Sequence, residues 1–119
     1  MSKYVELPID QIELDKSNPR IANFLATHDE EDITSDLMAL LLGTTSDACA
    51  SLRQSIEANY GIIHPIVVNK RADGTYVVIE GNTRLQIYKD LRRENKSGNW
   101  DTIRSIVYED IGDEEMHKI

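Results

Sequence analysis

The sequence predicts an α+β domain, a small mixed β-sheet flanked by helices, and three observations carry that expectation. Two β-branched runs, His64–Asn69 and Thr75–Ile79, flank Asp73-Gly74, the pattern of a tight hairpin. Segments of helical period lie on both sides of that hairpin. A further apolar run, Ile103–Tyr108, supplies another strand after the last helix.

Taken in order, Val5 and Leu7 alternate with Glu6 before Pro8 and suggest a short first strand, and Ile9 to Leu14 follows as a turn-like piece. Asn18-Pro19-Arg20 reads as a loop. Ile33, Leu37, Leu40 and Leu41 recur at helical spacing between Asp32 and Leu42, with Gly43 as the stop. A second helix, capped by Ser46 or Asp47, places Ala48, Leu52, Ile56 and Tyr60 four apart and ends at Gly61. A third begins at Asn82, turns Leu85, Tyr88 and Leu91 inward, leaves Lys89, Arg92, Arg93 and Glu94 to solvent, and breaks at Ser97-Gly98-Asn99. Trp100 is expected to anchor packing. Asp110 to Glu115 reads as the first turn of a helix cut short at Ile119, the pattern of a domain excised from a longer protein.

Composition narrows the classes of function. At 119 residues the chain suits a single domain, 1–119, able to bury about 65% of its unfolded surface without metal or disulfide. No apolar run approaches the ~18 residues of a membrane span, and Met1-Ser2-Lys3-Tyr4 lacks a signal-peptide core, so the expectation is a cytoplasmic protein. A formal charge of −8 argues against a domain that grips nucleic acid by itself. The acidic runs Asp29–Asp32 and Glu109–Glu115 read as solvated faces or helix starts. Cys49, the sole cysteine, has no partner for a disulfide or a zinc site and reads as a packing residue.

The chemistry concentrates where the strand Thr75–Ile79 runs through Glu80-Gly81 into a helix. Glycine there removes the Cβ that would block a ligand, while the N–H groups of Asn82, Thr83 and Arg84 sit at the positive end of the helix dipole. Arg84 adds a fixed charge. Glu80, beside such an anion site, can coordinate Mg²⁺ or accept a proton, or can simply pair with Arg84 or a lysine. Asn18-Pro19-Arg20 projects a second cation suited to a polyphosphate. His64 lacks the companion ligands of a metal site.

Asn18-Pro19-Arg20, Gly61 to Val68 and Glu80 to Leu85 form an ordered set, and in it the sequence resembles the ParB/sulfiredoxin superfamily, specifically a ParB N-terminal domain, also described as a ParB-like nuclease domain. The resemblance runs from Val5 to the Asp110–Glu115 stretch, with Asn23 to Thr45 as an insertion. It implies that the turn at Gly81 cradles the phosphates of CTP, with Gly61 to Pro65, including His64, bordering the nucleotide and the element of Asn18 and Arg20 lying near DNA or the nucleotide pocket. Against the family's Gly-Glu-Arg-Arg turn, Asn82 replaces the acid and Thr83 the first arginine, while Gly81 and Arg84 match. The sulfiredoxin branch places a cysteine in this turn, where Asn82 and Thr83 stand here, so its chemistry is disfavoured.

The leading expectation is therefore a phosphate-binding domain for a CTP or ATP type nucleotide with Mg²⁺, hydrolysing it if Glu80 and Arg84 act catalytically, in a DNA-associated protein whose DNA contact lies outside this chain. A homodimer is compatible with this reading, and no membrane is involved. The alternatives are a ParB-like nuclease or small-molecule kinase working through Glu80 and a metal, and a noncatalytic interaction domain.

Overall fold

The computed structural model describes residues 2–109, so the expected helical start at Asp110–Glu115 lies outside the described residues. The described elements are β1 (Ser2–Pro8), β2 (Ile12–Glu13), α1 (Pro19–Leu25), α2 (Ser35–Leu41), α3 (Ser46–Ala58), β3 (Ile66–Lys70), β4 (Tyr76–Glu80), α4 (Asn82–Arg93) and β5 (Thr102–Glu109). Short 3-10 turns at Ile9–Gln11 and Glu30–Asp32 link some of them.

The expected α+β architecture is present. Five strands form one mixed sheet in the order β1-β5-β3-β4-β2. The pairs β1/β5 and β3/β4 are antiparallel, whereas β3/β5 and β2/β4 are parallel. The β3–β4 hairpin closes as Asp73-Gly74 requires: Gly74 has φ +90°, and the Asp73 carboxylate accepts from the Thr75 N–H at 3.0 Å and its hydroxyl at 2.7 Å. A register shift between Val67 and Val68 places Glu80, the last residue of β4, opposite Val67. The turn that follows therefore lies against the start of β3.

Several local expectations need correction. Asn18-Pro19-Arg20 is the start of α1 and not a loop, because the Asn18 side chain accepts from the Arg20 N–H at 3.0 Å and Pro19 occupies the first helical position. Ile9 to Leu14 contains a 3-10 turn and a two-residue strand that adds β2 to the sheet edge. The first strand extends over seven residues, and β3 starts at Ile66 and not at His64.

The two middle helices match the expected faces only in part, with Leu52 and Ile56 of α3 packed inward as expected. On α2 the buried residues are Ser35, Met38 and Ala39, whereas Leu40 is 60% exposed and Ile33 is buried ahead of the helix. At the buried Ser35 the backbone N–H donates to the Asp90 carboxylate on α4, and the carbonyl accepts from the Cys49 thiol. On α3 the inner residues are Cys49 and Ile56, with Ala48 and Tyr60 outside, and Thr45 is the N-cap, accepting from the Ala48 N–H at 3.1 Å. That helix ends through Tyr60 in the left-handed region (φ +52°), with the Gly61 N–H returning to the Ile56 carbonyl at 3.0 Å. Burial raises the pKa of the Cys49 thiol, in keeping with a packing role.

The central helix, α4, behaves as the sequence indicates on its apolar side: Leu85, Tyr88 and Leu91 are buried, together with Ile87. Trp100 is buried too and meets Tyr88 edge to face at 5.1 Å. Two residues expected at the solvent are half-buried, Lys89 and Arg92, the latter because its guanidinium donates to both oxygens of Asp10 at 2.7 and 3.0 Å. Arg53 donates from a single guanidinium nitrogen to both oxygens of Glu94, each at 2.7 Å, and joins α3 to the end of α4. The Arg92 hydrogen bond holds the Asp10 carboxyl below its usual range, and the Arg53 hydrogen bond does so for Glu94. Both folded pKa values lie below the unfolded ones, so this support exists above the unfolded pKa and fades as pH falls through the folded values. Exposure of both carboxylates keeps it small.

Between Leu85 and Leu91 two polar residues are also buried, Gln86 and Asp90. Asp90 accepts from the Ser35 N–H at 2.6 Å, and the Gln86 amide donates to the Ile33 carbonyl at 2.9 Å and to Asp90 at 3.1 Å. The pair holds the start of α2 onto α4. Asp90→Ala leaves the Ser35 N–H and one Gln86 donor bond unmade at a buried position, and is expected to lower the free energy of urea unfolding by about 2 kcal/mol. A loss below about 0.5 kcal/mol, the range of surface substitutions, would show that this contact contributes little.

Candidate functional site

The β4–α4 junction depends on Gly81, which takes φ +113° and ψ +26°, a left-handed conformation. A Cβ built there would lie 2.5 Å from Ile66 Cγ2 and 2.8 Å from Ile66 Cβ. The sequence argument placed the missing side chain on the ligand's side. The structure places it against β3, so Gly81 is required by packing and backbone conformation.

A cleft of about 400 Å³ opens beside this junction. It is lined by Ile79 to Arg84 at the junction and by Asp15, Asn18, Leu42, Thr44 and Leu52 from the segments that precede the hairpin. Helices α1, α2 and α3 are each capped by a side chain, those of Asn18, Thr34 and Thr45, whereas no side chain caps α4 at Gly81. Its first N–H groups are thus available at the positive end of a twelve-residue helix. Thr83, half-buried, adds a hydroxyl.

The neighbouring side chains have specific partners. Asn82 is buried, and its Oδ1 accepts from the Asp15 N–H at 3.3 Å, tying the approach to α1 to the start of α4. Arg84 donates to the carbonyl of His64 at 2.7 Å and of Pro65 at 3.2 Å, and pairs with Glu80 at 3.3 Å. Its side chain is 16% exposed while that of Glu80 is 69% exposed. Four residues on, the Tyr88 hydroxyl accepts from the Ile62 N–H at 2.9 Å, and burial raises its pKa. Arg84 and Tyr88 together fix the Ile62–Pro65 segment to α4.

Of the residues singled out from sequence, the cleft gathers Asn18, Glu80, Gly81, Asn82, Thr83 and Arg84. Arg20 and His64 are not among its lining residues. Arg20 donates to the Leu41 carbonyl at 3.3 Å at the end of α2, and His64 meets Arg84 through its backbone. Asp15, Leu42, Thr44 and Leu52 were not anticipated. Leu52 was legible only as a helix-face residue, and the others converge solely through the packing of α1, α2 and α3. Among the described residues no three His, Cys, Asp or Glu side chains come together to hold a metal.

With this geometry in view, the comparisons identify the chain. The profile of the ParB N-terminal domain matches residues 1–119, and the chain belongs to that family. It is similar in fold to the C-terminally truncated chromosome-partitioning protein ParB from Caulobacter crescentus complexed with CTP-gamma-S, with a TM-score of 0.55 and 20% identity over 98% of this chain. This chain spans about half of that one, 49%. It is also similar to sulfiredoxin from Arabidopsis thaliana, with a TM-score of 0.54 and 22% identity over 98% of this chain and 93% of that one. No curated protein sequence matches it. No helix among the described residues is long and apolar enough to cross a membrane.

Gly81→Ala combines a left-handed backbone with a collision against Ile66 and is expected to cost about 3 kcal/mol in thermal or urea unfolding. Gly74→Ala, where a Cβ meets nothing within 4 Å, carries the backbone penalty alone, about 1 kcal/mol. Equal losses at the two positions would show that contact with Ile66 is not what demands glycine at 81.

Proposed function

We propose that the cleft at the start of α4 binds the phosphates of a nucleoside triphosphate of CTP or ATP type. The observation that carries this reading is the α4 N-terminus, opening on the cleft without a side-chain cap. Membership of the ParB N-terminal domain family and the CTP-gamma-S held by the C. crescentus relative support it. The cleft falls within the usual range of small-molecule sites.

In this reading the N–H groups at the start of α4 and the Thr83 hydroxyl bind phosphate oxygens. Arg84 fixes the 62–65 segment beside the turn and lends positive charge from a largely buried position. The donor set suits Mg²⁺ in a shared mode, with Glu80 offering a carboxylate oxygen and the nucleotide completing the ligands. Bound Mg²⁺ would neutralise phosphate charge. Glu80 stays solvent-accessible for that role, with its side chain 69% exposed although paired with Arg84.

The measurement is calorimetric titration with CTP, ATP and GTP, with and without Mg²⁺. Wild-type protein is expected to bind a triphosphate more tightly with Mg²⁺, and Arg84→Ala to abolish binding. Thr83→Arg, which adds a charged donor at the rim, is expected to tighten it by about one to two decades. Absence of binding by both wild type and Thr83→Arg, each folded, would overturn the proposal, as would wild-type affinity in Arg84→Ala.

A further inference from the structure

A second cleft, of about 550 Å³, lies farther along α4 and shares no lining residue with the first. Gln86, Lys89, Arg92 and Arg93 of that helix line it together with Asp10 and Glu31, one from each of the two 3-10 turns. Spacings of three and four residues stack Gln86, Lys89 and Arg93 on one side of α4. Two contacts bring the turns to the helix. Arg92 donates to both oxygens of Asp10, and the Gln86 amide donates to the carbonyl of Ile33, two residues beyond Glu31.

Within this cleft Arg92 and Asp10 satisfy each other, and Lys89 has an interaction of its own. Three groups are left over. The Arg93 side chain is 51% exposed and makes no hydrogen bond among the described residues; its ion contact, with Asp90, is at 4.0 Å, and the Asp90 oxygens already accept from the Ser35 N–H and the Gln86 amide. Glu31 is exposed and has no partner among the described residues. Gln86 is 1% exposed and donates twice from its amide nitrogen, to Ile33 and Asp90, while its Oε1 accepts from nothing among the described residues. A buried carbonyl oxygen left in this state keeps a desolvation cost that an N–H donor placed against it removes. Because that oxygen is covered, a donor reaches it as the long side chains of Lys89 and Arg93 shift, a rotamer change of the kind common on ligand binding.

The leftover groups are a cation, an anion and a neutral acceptor. A ligand with negative charge alone answers Arg93 but meets Glu31, and one with positive charge alone does the reverse. We infer that this cleft binds a small zwitterion of the α-amino acid type, with its carboxylate on the Arg93 guanidinium and its ammonium on the Glu31 carboxylate and Gln86 Oε1. The planar donor fork of arginine matches a carboxylate, and the cleft volume falls in the range of small-molecule sites. This site is independent of the phosphate-facing turn, so either can hold its ligand without the other.

The test titrates the twenty standard L-amino acids singly, each up to about 10 mM, into ¹⁵N-labelled protein, with acetate and methylammonium as probes of one charge. At least one amino acid is expected to shift the Gln86 side-chain amide and the backbone amides around Glu31 and Arg93, with residues 82–84 unmoved. Acetate and methylammonium are expected to bind at least about ten-fold more weakly, and Arg93→Gln and Glu31→Gln each to weaken the amino acid by about ten-fold. Both substitutions fall on exposed side chains, so the variants are expected to fold, which circular dichroism checks. Absence of saturable shifts at the cleft with every amino acid would overturn the inference, as would wild-type affinity in both variants. Acetate binding as tightly as the amino acid would also overturn it, showing a plain anion site.

Discussion

The structure depends on the close approach of the Gly81 backbone to Ile66. Only a residue without a Cβ can take φ +113° with the Ile66 side chain so near, and only then can the chain leave β4 and enter α4 beside the start of β3. The register shift at Val67/Val68 is part of the same arrangement, since it sets Glu80 at the strand end opposite Val67. One consequence is chemical. A glycine N-cap has no side chain to satisfy the first N–H groups, so the packing solution that starts α4 leaves its positive end open.

From there α4 organises much of the domain through two pairs of residues spaced four apart. Arg84 and Tyr88 bind the backbone of Ile62–Pro65, while Gln86 and Asp90 bind that of Ile33–Ser35. Four-residue spacing stacks each pair on one side of the helix, and the offset of two turns the pairs to different sides. The segments bordering the hairpin and leading into α2 are thereby referenced to one rigid element, and the cleft at its start inherits that rigidity. Arg84 accordingly has two roles at once, a structural clasp for two carbonyls and a source of charge next to the turn. One guanidinium has enough donors for both.

The parts of this architecture that were legible in the sequence are those with strong local signals. Tyr76–Ile79, Asp73-Gly74 and Leu85-Tyr88-Leu91 gave the hairpin and α4 because alternation, turn chemistry and helical period each have a direct backbone cause. The Glu80–Arg84 cluster was legible for the same reason: its geometry is local to one junction. The inner faces of α2 and α3 were read only in part: Ile33, Leu52 and Ile56 pack inward as expected, whereas Leu40, Ala48 and Tyr60 are exposed and Ser35, Met38, Ala39 and Cys49 are buried. The Ser35 backbone is held onto α4 by Asp90, 55 residues away, and no periodicity argument contains that contact. The start of α1 was misread although its signal was present, since asparagine followed by proline marks a helix start as well as a turn. The contribution of Leu42, Thr44 and Leu52 to the cleft was invisible because leucine and threonine carry no chemical signature, and only tertiary packing brings them beside the junction.

The cleft combines these two levels, a local junction with an uncapped helix start and lining residues contributed by distant segments. Its central claim concerns the backbone, and amide chemical shifts report on it most directly. In ¹H–¹⁵N spectra recorded during titration with CTP or ATP and Mg²⁺, the account predicts that the largest changes fall on the N–H groups of Asn82, Thr83 and Arg84. The amides of the Asp73-Gly74 turn and of Arg92-Arg93 at the far end of α4 should stay in place. Saturating shifts elsewhere in the protein, with residues 82–84 unmoved, would contradict it.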